Sequence, residues 1–311
     1  MTNAIEKPKI RSDLRLWLGK IFYTLKRYGF WLFGGLRFAR RTAQALPYAQ
    51  FQHQTPLLRK LKDADMILQH NKVTNLKIAA QKVDGITLGP GEVFSYWKTI
   101  GRPSRVKGYL EGMVLKNGGI HAGIGGGLCQ LSNLIFWMTA HTPLTVIERH
   151  RHGYDVFPDS ERSQPFGSGA TCFYNYGDLM IRNDTEQSFR LTVGLTPTHL
   201  TGSWTADRPP SCSYRVYERE HFMRAESFGG YSRHNLLYRK SFSLEGEEIA
   251  DEYLIENHAL MMYSPFLEAG QTNKARHKKT GHLGEKPQGG PPFSLTASGG
   301  STQSGYSCLK R

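Results

Sequence analysis

Cysteine is scarce in this chain: four residues in 311, at positions 129, 172, 212 and 308, with no C-x-x-C pair and no density suggesting a disulfide scaffold. That usage fits a reducing compartment. Long apolar runs are missing as well. No stretch approaches the roughly 18 uninterrupted apolar residues of a membrane span. Arg15, Lys20, Lys26 and Arg27 interrupt the segment where a secretory signal would need its apolar centre, so the expectation is a cytoplasmic chain. Acidic residues are outnumbered, 26 against 40 basic, and the net charge of +14 favours anionic partners such as nucleic acid, a membrane surface or acidic polymers. No nucleic-acid recognition module is legible, which sets that partner aside. No repeat of about 20 to 50 residues points to a solenoid.

What is present suffices for a core, with 39% hydrophobic and 12% aromatic residues. Over residues 13–41, Leu14, Leu16, Trp17, Leu18, Ile21, Phe22 and Leu25 alternate with Lys and Arg at helical spacing. Two readings stand open: a helix packing its apolar side on the main domain, or one lying on anionic lipid, since Trp17, Phe30, Trp31 and Phe33 sit beside cations. A short helix is predicted from Thr74 to Val83, stopped by Gly85. "LGPGE" reads as a turn between two strands, the second carrying Val93, Phe94, Tyr96 and Trp97, and Asn117-Gly118 is a hairpin signal. After Cys129 the chain is apolar almost all round through Leu131, Leu134, Ile135, Phe136, Trp137 and Met138, a central buried helix that Pro143 ends. "LTVIERHRHGYDVFP", "ATCFYNYG", "DLMIRN", "SFRLTVGLT" and "HLTGSW" read as strands.

The predicted fold is α+β: a single main domain of antiparallel strands packed around that helix over 72–206. A basic amphipathic helical segment, 1–71, precedes it, and an extension, 207–266, packs on it. Residues 267–311 are Gly, Ser, Thr, Pro and Lys with little apolar content and are predicted to be disordered.

The stretch "AGIGGGLCQLSN" carries the chemistry. A cysteine in the first turn of a helix lies where unpaired N–H groups and the helix dipole favour a thiolate. The glycines at 123, 125, 126 and 127 let backbone N–H groups approach an oxyanion. An imidazole base would come from His150 or His152: a strand returning antiparallel to the helix draws level with its start near Arg149 or His150, and both histidines share one side by alternation. Asp155, Asp178 or the Gln130 amide could orient the imidazole. Arg149 and Arg151 are candidates for an acidic substrate, or the solvated face of an edge strand. The competing structural reading makes Cys129 a buried thiol after a turn that only lets the helix pack closely. The Gly-rich stretch lacks the Lys-Ser/Thr of a P-loop and does not match G-x-G-x-x-G. A metal site on His150, His152 and Cys129 has no C-x₂₋₄-C spacing behind it, so neither metal nor cofactor is expected.

Together "PGEVFSYWKTIG", "YLEGMVL", the run from "AGIGGGLCQLSN" through "ERHRHGYDVFP" to "MIRNDT", and "ENHALMMYSP" strongly resemble the VanW family, most densely over 89–186. The family's G-G-G-x-C-Q-x-S pattern falls on Gly125, Gly126, Gly127, Cys129, Gln130 and Ser132, and its R-x-x-H on Arg149 and His152. With this mapping the candidate catalytic residues are Cys129 and His152, with Gln130 and Asp155, and the candidate substrate-binding residues are Gly125, Gly126, Gly127, Ser132 and Arg149. Related members can carry an aromatic at the position of His150, which favours His152 as base. They commonly carry Ser where Gly153 stands here, which takes away the hydroxyl for a local hydrogen bond. The family is an accessory to glycopeptide resistance, so the implied partner is a cell-wall peptide or precursor, either cleaved by a cysteine-dependent hydrolase or acyl transferase or bound without chemistry. Peripheral contact with an anionic membrane is the second expected partner.

Overall fold

The computed structural model describes residues 12–58, 66–116, 118–156 and 164–265. The expected disordered tail, 267–311, lies outside the described residues. The described chain runs through helix α1 (Asp13–Phe33), strands β1 (Arg37–Phe38), β2 (Arg40–Arg41) and β3 (Tyr48–Pro56), and helix α2 (Met66–Val83). β4 (Ile86–Leu88), β5 (Glu92–Ser95), the short helix α3 (Tyr96–Ile100), β6 (Glu111–Lys116), β7 (Gly119–Ile124) and α4 (Cys129–Thr139) follow. Then come β8 (Thr145–Glu148), β9 (Tyr154–Asp155), β10 (Met180–Arg182), β11 (Phe189–Leu195), β12 (His199–Ala206), β13 (Ser213–Ala225), β14 (Tyr231–Phe242) and β15 (Glu248–Met261). The fold is α+β, with mostly antiparallel sheets ordered β1-β5-β10-β8, β2-β4-β11-β12-β3 and β13-β14-β15-β9, and the separate hairpin β6-β7.

The helix that starts at Cys129 is the centre of the core, as its all-round apolar pattern predicts: Leu131, Leu134, Ile135, Phe136 and Met138 are buried. It lies across β12 and β3. Gly202 on β12 permits this approach, because a Cβ there would stand 2.7 Å from Met138 Cε and 3.2 Å from Leu134 Cδ2. Trp204 caps the contact by donating its Nε1–H to Thr139 Oγ1 at 3.1 Å.

Four expectations differ from the structure. The helix predicted from Thr74 begins at Met66, because its inward face carries the buried polar residues Gln69, Lys72 and Asn75, which apolar spacing does not detect. Tyr96 and Trp97 leave the strand for α3, since Ser95 Oγ accepts the Lys98 N–H at 3.2 Å and caps a helix there. "ATCFYNYG" is held by isolated bridges only, His150 to Thr171 and Phe173 to Gly177, not by a strand. Within the segment read as helical, residues 37–56 supply three strands, and β3 pairs with β12 from His199↔Pro56 to Ala206↔Tyr48. The expected hairpin is present: β6 and β7 pair to Lys116↔Gly119, with Gly118 at φ +77°.

Candidate functional site

A cavity of about 1390 Å³ opens at the N-terminal end of α4. Gly125, Gly127, Leu128, Cys129 and Gln130 form one wall and His53, Gln54 and Thr55 from β3 another. Arg151, His152 and Asp155 come from the chain after β8, and residues 167–176 close the space between them. Trp17, Lys20, Ile21, Thr24 and Leu25 of α1 overhang the opening.

The turn before Cys129 owes its shape to its glycines. Gly125 and Gly127 have φ of +75° and +89°, which side chains rarely adopt. A Cβ on Gly127 would sit 2.1 Å from Lys72 Cγ. The turn also spends some of its own donors: Gly125, Gly126 and Gln130 N–H go to the carbonyls of Leu110, Gly123 and Gly127. Helix α4 starts from Leu128 in right-handed geometry, without a side-chain cap. Cys129 keeps part of its surface open to the cavity. Burial nevertheless pushes its thiol pKa up, more strongly than hydrogen bonds from the main chain of Cys172 and of Cys129 itself pull it down. The thiolate expected at a helix start is therefore a protonated thiol at neutral pH.

His152 stands on the same cavity. Its ring meets the Phe173 ring edge-on at 5.5 Å, and Phe173 stacks on Tyr176 at 5.8 Å. Burial, helped by the charge of Arg151, lowers the His152 pKa and keeps its imidazole neutral. Among the described residues no hydrogen bond joins Cys129 to His152. The strand alternation that would have put both histidines on one side ends at Glu148, where β8 stops. His150 turns instead to Glu148, Nε2 to Oε1 at 2.8 Å, and only His152 reaches the cavity with Cys129.

Segment 167–173 mediates this approach. Thr171 N–H donates to His150 O at 2.8 Å on one side, and Ser132 Oγ donates to Ala170 O at 2.6 Å on the other. Ser132 and Arg149 therefore serve the framework around the cavity rather than its lining. Arg149 donates to the carbonyls of Gly169 and Gly167 at 2.7 and 2.6 Å and lies 4.9 Å above the Phe136 ring. Gly126 is packed on Gly112 and does not line the cavity either. Gln130 lines it, but its Nε2 already donates to Thr55 Oγ1 and Pro56 O. Asp155 lines it too, with Oδ2 accepting from Tyr263 OH at 2.8 Å and 3.6 Å from Arg233 Nη1. The Asp178 carboxylate faces the other way, taking Ser95 Oγ–H and Trp97 N–H. Among the described residues no three His, Cys, Asp or Glu side chains cluster to hold a metal ion.

Periodicity and spacing miss several lining residues. Ser168, buried with its Oγ unpartnered, carries no signal beyond its flanking glycines. His53 on β3 and the overhanging face of α1 have none, since nothing local says that they cross the chain to Cys129.

A family model described as "VanW like protein" matches residues 71–205. The chain is 33% identical over 244 residues to the "Vancomycin B-type resistance protein VanW" of Enterococcus faecalis (strain ATCC 700802 / V583), covering 78% of this chain and 88% of that protein. It is also 28% identical over 116 residues to "Uncharacterized protein YoaR" of Bacillus subtilis (strain 168), covering 36% of each. No solved structure matches it significantly. The Gly125–Ser132 turn and the Arg149–His152 segment that frame the cavity lie inside the matched region, and the chain belongs to the VanW-like family.

Proposed function

We propose that this chain is a cysteine-dependent hydrolase or acyl transferase acting on a cell-wall peptide or precursor, in support of the vancomycin resistance that its Enterococcus relative is named for. One observation carries the reading: Cys129, His152, Gly125 and Gly127 line a single cavity. With the thiol protonated and the imidazole neutral, His152 is in the form that can take the Cys129 proton and leave a thiolate to attack. His152 takes the Cys129 proton as Sγ attacks the substrate carbonyl carbon. The N–H groups of Gly127 and Leu128 hold the oxyanion. Collapse breaks the C–N bond, His152 returns the proton to the departing amine, and water or a second amine cleaves the thioester to restore the thiol. Lys20, Lys72, Arg102 and Arg151 outnumber Asp155 among the charged lining residues, which favours an anionic peptide or precursor.

A second reading, binding without chemistry, is favoured by the raised thiol pKa and the missing Cys129–His152 hydrogen bond. Labelling with iodoacetamide separates the two. In the first reading Cys129 is alkylated faster at neutral pH than a buried high-pKa thiol allows, His152→Gln slows it at least about tenfold, and Cys129→Ala abolishes the contribution to resistance. A folded Cys129→Ala chain that still supports resistance and still binds a cell-wall peptide makes the protein a binder.

A further inference from the structure

Helix α1 is attached to the body in an unusual manner. Its inward side repeats at Trp17, Ile21, Thr24, Tyr28 and Trp31, the three- and four-residue spacing of one helix face. Beside Trp31, which packs on the core, the fastening is polar: Arg27 forms a bidentate pair with Glu148 at 2.7 and 2.5 Å, and Tyr28 OH meets Tyr174 OH at 2.5 Å. No residue of α1 is buried. Half of the exposed large hydrophobic side chains among the described residues, twelve of twenty-four, sit on this one helix. On the outward side Leu18, Phe22, Leu32 and Phe33 are 52–86% exposed. Arg15 and Lys26, both exposed, are interleaved with them.

We propose that α1 is an interfacial docking helix that lays the protein on an anionic lipid surface, with the mouth of the Cys129 cavity beside the headgroups. An apolar face this large, with cations along it, matches a bilayer interface in both hydrophobicity and charge. A second copy of the same face would bring Arg15 and Lys26 against their own kind, whereas anionic headgroups neutralise them. No helix among the described residues is long and apolar enough to cross a membrane, so α1 lies along the surface. Its length of roughly 31 Å at 1.5 Å per residue gives a contact that fixes orientation as well as attachment. Trp17, Lys20, Ile21, Thr24 and Leu25 rim the cavity from this helix, so docking puts the opening within reach of a substrate whose other end is held in the membrane. The docking does not depend on the Cys129 chemistry.

The test is sedimentation of the full chain with vesicles of phosphatidylcholine alone and of phosphatidylcholine mixed with phosphatidylglycerol. The chain is expected to pellet with the mixed vesicles and to be released by salt. Leu18→Glu with Phe22→Glu weakens binding by about tenfold to a hundredfold. Arg15→Glu with Lys26→Glu removes the preference for anionic lipid, and Cys129→Ala changes nothing. All four helix positions are exposed, so an unchanged circular dichroism melt shows that the variants fold. Absence of pelleting, or pelleting that survives Leu18→Glu with Phe22→Glu, overturns the proposal. So does a dimer in sedimentation velocity that the same substitutions break while vesicles bind nothing, because that outcome assigns the face to a second copy.

Discussion

Glu148 and Asp178 share a hydrogen-bond chain and are driven in opposite directions. Burial pushes both carboxyls up. For Glu148 the hydrogen bonds from His150, Arg27 and the Asp178 N–H outweigh it, and the pKa falls from 4.5 to about 2. For Asp178 burial outweighs the bonds from Ser95 and Trp97, and the pKa rises from 3.8 to about 6. Glu148 therefore contributes stability above its unfolded pKa that is lost as pH falls through about 2. Asp178 contributes stability below its unfolded pKa that is lost as pH rises through about 6. In urea denaturation followed against pH, Glu148→Gln is expected to flatten the limb between about pH 4.5 and 2 and to cost about 1–2 kcal/mol at neutral pH, allowing for partial solvent screening. Asp178→Asn flattens the limb between about pH 4 and 6 instead. Identical profiles for wild type and Glu148→Gln would mean that these hydrogen bonds do not hold the Glu148 pKa down. Neither shift is legible in sequence, because Arg27 reaches Glu148 across 121 positions of the chain and Ser95 reaches Asp178 across 83.

Among the elements, the turn before α4 is clamped from two sides. Asn75 of α2 donates to Leu110 O and Gly126 O at 3.0 and 2.9 Å and accepts the Leu110 N–H at 2.8 Å. Gly126 meets Gly112 of β6 backbone to backbone, and a Cβ on Gly126 would lie 2.1 Å from the Gly112 carbonyl. Backbone cannot yield as a side chain does. Gly126→Ala is expected to lower stability by about 1–3 kcal/mol, read as a fall in melting temperature. Gly153→Ala, with no atom within 4 Å of the added Cβ, should stay within about 0.5 kcal/mol of wild type. Equal effects would refute the clamp. The sequence announces this turn through its glycine density, and α4 through its apolar pattern. It conceals the first two turns of α2, whose buried face is polar, and β3, whose pairing with β12 spans about 150 residues of chain.

Across the whole molecule, α1 is held over the cavity by the Arg27–Glu148 and Tyr28–Tyr174 contacts and by Trp31 packed on the core, with no residue of the helix fully buried. Arg27→Glu sets a carboxylate against Glu148 and should release the helix while the sheets persist. Trypsin is then expected to cut at Arg15, Lys20 and Lys26 several-fold faster, with a small change in the main unfolding transition. Unaltered cleavage would mean that α1 is held by contacts other than Glu148.

The sequence by itself determined the α+β class, the buried helix after Cys129, the hairpin at Asn117-Gly118 and membership of the VanW-like family. These follow from apolar period, turn residues and motif spacing, all of which act over a few residues. Only the tertiary structure decided that His152 and not His150 shares the cavity with Cys129, that Arg149 and Ser132 bind backbone carbonyls around it, and that burial outweighs the helix start in setting the thiol pKa. Those outcomes depend on which atoms from distant segments exclude water from a group, a sum that no local pattern contains.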